Sequence, residues 1–189
     1  MPTNTTRGGY TVPGLEQEAA STLIDSLQER LVALTDLHPT LKHVHWNVVG
    51  PHFIAVHEML DPQVDAVRDM TDEIAERIAT LGGSPVGTIG YMVEKRSWED
   101  YSIGRDGTTA HLGALDLVYQ GVISDHREAI EAAGELDPVT EDLFVGQAAK
   151  LELFHWFVRA HLESASGTLV TEGETTEKGA ADAARGDDH

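Results

Sequence analysis

Apolar side chains recur every three to four residues in long stretches of this chain, and this periodicity limits the fold more than any other feature. Such spacing places the apolar side chains on one face of an α-helix. The first stretch carries Leu23, Leu27, Leu31, Leu34, Leu37, Leu41 and Val44. It predicts a helix A from Leu15 to about His45, with a kink near His38 because Pro39 removes a backbone donor.

Three further periodic stretches predict three more helices. Helix B is expected over residues 54–81, before a glycine pair. Helix C is expected over residues 108–133, again before a glycine. Helix D should follow Asp137 as its N-cap and a proline as its first residue, and should run to about Ser166. Four long amphipathic helices with one long crossover between the second and the third predict an all-α four-helix bundle.

The two ends of the chain differ from the periodic part. Residues 1–14 are polar, rich in threonine and glycine, and contain two prolines, so we expect a flexible N-terminal tail. Residues 15–166 form the predicted bundle. Residues 167–189 are rich in glycine, alanine, threonine and charge and lack an apolar period, which predicts a disordered acidic C-terminal tail.

The charge balance bears on the class of partner. The chain has 32 acidic residues against 13 Lys and Arg, a formal net charge of −19. This excess favours cations and disfavours nucleic acid, whose phosphates are bound largely through Lys and Arg. The alternative is that the acidic surface only keeps the protein soluble. Because the chain has no cysteine, disulfides and thiolate metal sites are excluded.

The sequence also bears on localisation. No apolar run approaches the ~18 residues that a membrane span needs, and the start of the chain lacks the apolar core of a signal peptide. We therefore expect a cytoplasmic protein without membrane partners, with nucleoid association as a further option.

Histidines and carboxylates gather at helical spacing in residues 43–76. His57 and Asp61 are four residues apart, as are Asp72 and Glu76, so each pair lies on one face of helix B. Imidazole and carboxylate together are ligands for iron or zinc. The two pairs cannot bind one metal within one chain, because eleven residues at ~1.5 Å per residue separate them by about 16 Å.

Two arrangements remain for these pairs. Either each pair has a separate role, or two copies of helix B pack antiparallel about a two-fold axis near Ala66 and Val67. The second arrangement places the first pair of one copy against the second pair of the other, and a two-fold interface then contains two such sites. His45 fits this scheme because it closes helix A near the place where His57 opens helix B.

Several motifs resemble the Dps family, the DNA-binding proteins from starved cells, and in particular its actinobacterial members. The resemblance rests on LKHVHWNVVGPHFIAVHEMLDPQ followed by DEIAERIATLGG, and extends to WEDYSIGRD, ALDLVYQGVISD and WFVRAHLESASG. It implies a ferritin-like four-helix protomer with a short extra helix in the long crossover, here near residues 98–101. It also implies a hollow homo-oligomer, a dodecamer, that oxidises Fe(II) preferentially with hydrogen peroxide and stores the ferric mineral.

The resemblance also implies which residues form the ferroxidase centre. By motif position, one subunit provides His45, His57 and Asp61, and its two-fold mate provides Asp72 and Glu76. Iron would bind at this interface, with zinc as a substitute.

Other residues have a functional and a structural interpretation. Trp46, beside the first histidine ligand, could donate electrons and quench radicals, or could simply pack. Four acidic residues are candidates for a three-fold pore that guides Fe(II), or for an ordinary solvated face: Asp125, Glu128, Glu131 and Asp137. Glu152 and His155 form a Glu-x-x-His motif of the kind used inside di-iron bundles. The chain has no convincing second copy, so we interpret this pair as structural.

DNA binding is expected to be weak or absent. Residues 167–189 hold only Lys178 and Arg185 against six acidic residues, a net charge of −4. Two competing functions are still open. One is a nucleoid-compacting protein whose metal sites are incidental. The other is a ferritin-like enzyme with a metal inside each bundle, as in bacterioferritin.

Overall fold

The computed structural model describes residues 8–186 and has an all-α architecture. Six helices occur in this part of the chain: α1 (Gln17–Asn47), α2 (Phe53–Thr80), α3 (Ile89–Lys95), α4 (Thr108–Gly134), α5 (Pro138–Ala160) and α6 (Glu177–Gly186). The four long helices α1, α2, α4 and α5 confirm the predicted bundle, and the long crossover joins α2 to α4 as expected. None of the helices in the described residues is long and apolar enough to cross a membrane.

The predicted apolar stripes form a single core. α1 packs mainly on α2, and α4 mainly on α5. Each of the long helices contributes fully buried side chains, among them Leu27, Leu34, Leu41, Leu60, Met70, Ile74, Ile78, Leu115, Tyr119, Phe144, Leu151 and Val158. Because burial of one such side chain stabilises the folded state by about 1.5–3 kcal/mol, the stripes account for the bundle.

The helix boundaries differ from the predictions by a few residues. α1 begins at Gln17 and continues past His45 to Asn47, with Pro39 inside it, and α2 likewise continues through Pro62. α5 ends at Ala160, six residues before the predicted end at Ser166. The segment after it turns back at a glycine of φ +81° and forms an antiparallel bridge, which buries Leu162 instead of extending the helix.

The short crossover helix was predicted at the wrong place. It spans Ile89–Lys95 and buries Met92, whereas residues 98–101 are not helical. Side-chain hydrogen bonds hold those residues against α1 and α4. The Trp98 indole donates to an Asp36 carboxylate oxygen at 2.6 Å, and the Tyr101 hydroxyl bonds a histidine of α4 at 2.9 Å.

The prediction of a disordered C-terminal tail is wrong for residues 177–186. There α6 lies against α4 and buries Ala180, Ala181 and Ala184. The approach depends on a glycine of α4, since a Cβ on Gly113 would lie 2.5 Å from the Ala180 carbonyl oxygen. Alanine packing of this kind gives no large apolar period, so the sequence pattern did not reveal it. Residues 187–189 lie outside the described residues.

The N-terminal tail is described only in part, because residues 1–7 lie outside the described residues. Residues 8 and 9 are tied to the bundle. The Gly8 amide donates to the Gly82 carbonyl at 2.6 Å, and the Gln17 side chain donates to the Gly9 carbonyl at 2.9 Å.

A two-residue parallel pair joins the end of α1 to the start of α4. β1 (Val48–Val49) pairs with β2 (Asp106–Gly107). The pair fixes the exit of α1 against the crossover, and this exit is where the histidines of the candidate site lie.

Candidate metal centre

A tight turn between α1 and α2 places His45 beside His57. α1 ends at Asn47, β1 follows, and the chain reverses at Gly50, whose φ of +105° strongly favours glycine. α2 then begins at Phe53. The last turn of α1 therefore lies against the first turn of α2.

The two histidines bond each other's backbone. The Nδ1 atom of His45 lies 3.0 Å from the carbonyl oxygen of His57, and the Nδ1 atom of His57 lies 2.8 Å from that of His45. Their rings are stacked, with centroids 3.6 Å apart and planes 24° apart. Because each Nδ1–H donates to a carbonyl, each Nε2 carries the lone pair. A backbone bond of this kind orients a metal-binding imidazole and fixes its tautomer.

Asp61 adds a carboxylate to the histidine pair. Its Oδ1 atom lies 3.3 Å from the Nδ1 atom of His45 and 3.0 Å from the ammonium nitrogen of Lys42. The Lys42 hydrogen bond, and then the nearby histidines, lower the pKa of Asp61 below its ordinary value. The carboxylate is therefore ionised at neutral pH and can bind a cation. A metal ion bound there competes with the ammonium group of Lys42.

Asp72 and Glu76 lie farther along α2, on exposed positions. Eleven residues separate Asp61 from Asp72, which is about 16 Å along the helix. Among residues 8–186, no group of three or more His, Asp or Glu side chains is arranged to hold a metal ion. The described residues thus place the candidate ligands in two separate sets, His45, His57 and Asp61 at one end of α2 and Asp72 and Glu76 farther along it.

Trp46 is placed at the surface beside these residues. Its side chain is 71% exposed, and its ring lies 6.0 Å from the Lys42 ammonium nitrogen. It does not pack in the core of its own subunit, so the packing alternative would need a second chain.

The four candidate pore residues have different surroundings. Glu128 and Glu131 are exposed on α4, while Asp125 pairs with Arg30 at 3.2 Å. Asp137 is buried and caps α5, as predicted from its place before the helix. Its Oδ2 atom accepts bonds from the amide of Thr140 at 3.0 Å and from Arg77 at 2.5 Å. Burial raises the pKa of Asp137, but the hydrogen bond from the Thr140 hydroxyl at 2.6 Å, and then those from Arg77 and the Thr140 amide, outweigh it, so the net pKa is lowered.

The Glu-x-x-His motif of α5 has structural partners, in agreement with the sequence interpretation. Glu152 pairs with Arg127 at 2.5 Å. His155 bonds Asp116 at 2.6 Å through its Nε2 atom. Both side chains are therefore engaged within the subunit.

Sequence reasoning missed the buried Asp116. It accepts hydrogen bonds from His155, from Arg159 at 2.8 Å and from Thr171 at 2.5 Å, and thereby ties α4, α5 and the segment after α5 together. Burial raises its pKa, but the three hydrogen bonds prevail and hold the pKa well below the ordinary range. The only sign of this network in the sequence was an aspartate at a position of helix C where the pattern expects an apolar residue.

Comparison with known proteins agrees with the all-α bundle. A family model described as "Ferritin-like domain" matches residues 24–167. The "DNA protection during starvation protein" of Mycolicibacterium smegmatis is 61% identical over 176 residues, which are 93% of this chain and 96% of the relative.

Two solved structures are similar over most of their length. DpsA14 from Streptomyces coelicolor has a TM-score of 0.85 and 65% identity, covering 88% of this chain and 99% of its own. Mycobacterium smegmatis Dps has a TM-score of 0.87 and 60% identity, covering 89% and 97%. The chain belongs to the ferritin-like proteins and, within them, to the Dps family.

Proposed function

We propose that this protein is a ferroxidase that oxidises Fe(II) at sites shared between two subunits and stores the ferric product. The observation that carries the proposal is the stacked His45–His57 pair, whose Nδ1 atoms are both engaged by backbone carbonyls. The two oriented Nε2 lone pairs and the ionised Asp61, whose Oδ1 atom lies 3.3 Å from His45 Nδ1, supply half of the ligands of an iron site. Asp72 and Glu76 of a two-fold mate provide the other half.

The surface around the half-site supports this subunit arrangement. Trp46, Phe53 and Ile54 are large apolar side chains that are 71%, 42% and 51% exposed, respectively. Exposed apolar side chains grouped beside a polar site are typical of a protein interface. A two-fold contact that covers them also places the second set of ligands opposite the first. Further two-fold and three-fold contacts then build the hollow dodecamer.

The reaction consumes both substrates together. Hydrogen peroxide takes one electron from each of two Fe(II) ions, which gives two hydroxide ions and two Fe(III) ions. The residues of the site bind and orient the iron: the imidazoles donate nitrogen lone pairs, and the carboxylates compensate the added positive charge. Glu76 can bridge two ions or hold one through both oxygens. Because no one-electron reduction of peroxide occurs, hydroxyl radicals are not released.

The acidic surface supplies iron to the site. Glu128 and Glu131 are exposed on α4, and a group of such carboxylates around a three-fold axis attracts and guides Fe(II). Asp125 contributes less because Arg30 partly neutralises it. Asp137 is engaged as a helix cap, so we do not include it in the pore. Zinc can occupy the same ligands without oxidation.

Protection of DNA follows from this chemistry more than from binding. The relative from Mycolicibacterium smegmatis is named for DNA protection during starvation. In this chain Lys178 pairs with Asp182, and Arg185 pairs with Asp182 and Asp106. The described basic residues of the C-terminal segment are therefore engaged by carboxylates, and DNA binding is weak. The protein acts in the cytoplasm by removing Fe(II) and peroxide together.

Stopped-flow absorbance of ferric iron tests the proposal. Wild-type protein should oxidise Fe(II) faster with hydrogen peroxide than with dioxygen. The double variant Asp72→Ala/Glu76→Ala should lose at least tenfold in rate while keeping its native mass. An unchanged rate in that variant would overturn the proposal. Glu152→Ala is the matched control on a different helix, and should oxidise iron at the wild-type rate.

A further inference from the structure

The first turn of α4 carries a buried histidine that faces the crossover and that the proposed function does not use. His111 is fully buried, and its Nδ1 atom lies 2.9 Å from the hydroxyl oxygen of Tyr101. The two rings are stacked, with centroids 6.1 Å apart and planes 11° apart. The Nε2 atom of His111 has no hydrogen-bond partner among the described residues.

The protonation states of the pair follow from their surroundings. Burial, and then the charge of His43, lower the pKa of His111, while Asp106 and the backbone of Asn47 and Gly104 act in the opposite direction. Burial, Glu177 and Asp106 raise the pKa of Tyr101. At neutral pH a neutral phenol therefore donates its hydrogen to the Nδ1 lone pair of a neutral imidazole.

A phenol with such a partner is prepared for one-electron oxidation. Removal of an electron makes the phenolic proton strongly acidic, so the reaction is easy only where a base accepts the proton at once. Histidine is the side chain best suited to accept and return a proton near neutral pH. We propose that Tyr101 and His111 form a redox pair that stores one oxidising equivalent during iron oxidation, a role that rests on the proposed ferroxidase function.

The position of the pair connects it to the candidate metal centre. The His43 ring meets the Tyr101 ring edge-on, with centroids 5.7 Å apart, and its Nε2–H donates to the Ile103 carbonyl at 2.8 Å. His43 precedes His45 by two residues on α1, about 3 Å along the helix axis. The edge-on ring contact and a two-residue step along α1 thus link Tyr101 to His45, one of the proposed iron ligands.

The pair completes the reduction of peroxide when only one iron ion is in place. In the first step one Fe(II) and Tyr101 each give one electron to hydrogen peroxide, the O–O bond breaks, and two hydroxide ions form. The phenolic proton moves to Nδ1 of His111, which leaves a neutral tyrosyl radical and an imidazolium. A second Fe(II) then reduces the radical, the proton returns from Nδ1, and Fe(III) forms. The sum equals the two-iron reaction.

Tyr119 is the matched control within this chain. It is fully buried, like His111, but its hydroxyl donates to the amide oxygen of Gln63 at 2.6 Å. An amide oxygen is too weak a base to take the phenolic proton. Tyr119 should therefore not be oxidised under conditions that oxidise Tyr101.

The first experiment uses freeze-quenched electron paramagnetic resonance of the whole assembly, loaded with one Fe(II) per site and mixed with peroxide. Wild type and Tyr119→Phe should give a tyrosyl radical, and Tyr101→Phe should lose it. Tyr101→Phe removes only the hydroxyl oxygen, so its folding is not in question, and circular dichroism verifies it. A radical that persists in Tyr101→Phe, or disappears in Tyr119→Phe, would overturn the proposal.

The second experiment omits iron and thereby separates this proposal from the ferroxidase function. The variant Tyr10→Phe/Tyr91→Phe/Tyr119→Phe keeps Tyr101 as its sole tyrosine, since the chain has four. Flash oxidation with tris(bipyridine)ruthenium and persulfate should give the tyrosyl radical, more slowly in heavy water. Adding His111→Gln should lower the yield at least tenfold. A radical yield that His111→Gln leaves unchanged would contradict the proposed redox pair, whatever the iron assay shows. If the yield falls as expected but the wild-type protein does not oxidise Fe(II), only the ferroxidase proposal is contradicted.

Discussion

His45 and His57 each hydrogen-bond the backbone carbonyl of the other, at 3.0 and 2.8 Å, so the end of α1 and the start of α2 orient the two imidazoles mutually. Neither ring depends on a third element for its tautomer. The pair is therefore already arranged in the single subunit, and in the proposed function a second subunit adds only carboxylates.

Lys42 should weaken iron binding. Its ammonium group lies 3.0 Å from Asp61 Oδ1 and occupies a position where a metal ion would interact. Exposed ion pairs of this kind are weak, so Lys42→Gln should tighten Zn(II) binding by only about two- to fivefold in calorimetry. Lys95→Gln is the control, because Lys95 lies on α3 away from the site. Weaker binding in Lys42→Gln would show that Lys42 positions the carboxylate instead.

His126 should make stability depend on pH. Burial, and then the charge of Arg30, lower its pKa from 6.5 to about 4. Below pH 6.5 His126 takes up a proton in the unfolded chain but not in the folded chain. The free energy of unfolding is therefore at its full value above pH 6.5 and decreases as the pH falls toward 4. The loss amounts to about 3 kcal/mol for a shift of this size.

Denaturant unfolding at several pH values measures this dependence. His126→Gln should reduce the fall in the free energy of unfolding between pH 6.5 and 4. His52→Gln, at an exposed position, should leave it unchanged. An identical pH profile in wild type and His126→Gln would contradict the assignment.

Replacing either of two glycines of α4 by alanine should have opposite effects on the structure. A Cβ at Gly113 would lie 2.5 Å from the Ala180 carbonyl oxygen and 2.9 Å from the Ala184 Cβ, so Gly113→Ala should displace α6. A Cβ at Gly121 meets nothing within 4 Å, and Gly121→Ala should stabilise the helix by about 0.5–1 kcal/mol. Hydrogen exchange of residues 177–186 should rise only in Gly113→Ala. Equal exchange in both variants would mean that α6 does not depend on this contact.

Asp116 should be among the most sensitive positions in the bundle. Removing one partner of a buried charged network costs about 3–5 kcal/mol, because the remaining groups stay buried without compensation. Asp116→Asn should therefore lower the unfolding midpoint markedly. Asp125→Asn, which breaks a partly exposed pair with Arg30, should have little effect. Similar losses in the two variants would refute the special role of the buried carboxylate.

The bundle was predictable because its helices carry large apolar residues at regular spacing. The stripe from Leu23 to Val44 leaves α1 one buried face, and the structure buries it. The same reasoning failed for α6, whose buried face consists of Ala180, Ala181 and Ala184. These alanines contact α4 because the backbone of α6 approaches Gly113 closely. The approach depends on how the two helices pack, so the local sequence does not predict it.

The candidate site was predictable in part, for a similar reason. Local spacing placed His57 and Asp61 on one face, and the Gly-Pro turn placed His45 beside them. The Tyr101–His111 bond joins the crossover to α4, and Thr171 reaches Asp116 across 55 residues. No local pattern encodes partners that meet only after the helices pack.

Complementation between subunits tests the central claim most directly. One chain carries His45→Ala/His57→Ala and the other Asp72→Ala/Glu76→Ala; the two are coexpressed with different tags and purified through both. If two subunits share each site, every mixed two-fold pair regains one intact site, and random pairing restores ~25% of wild-type peroxide-dependent Fe(II) oxidation. Activity in the mixed particles no higher than in either parent would contradict the shared site.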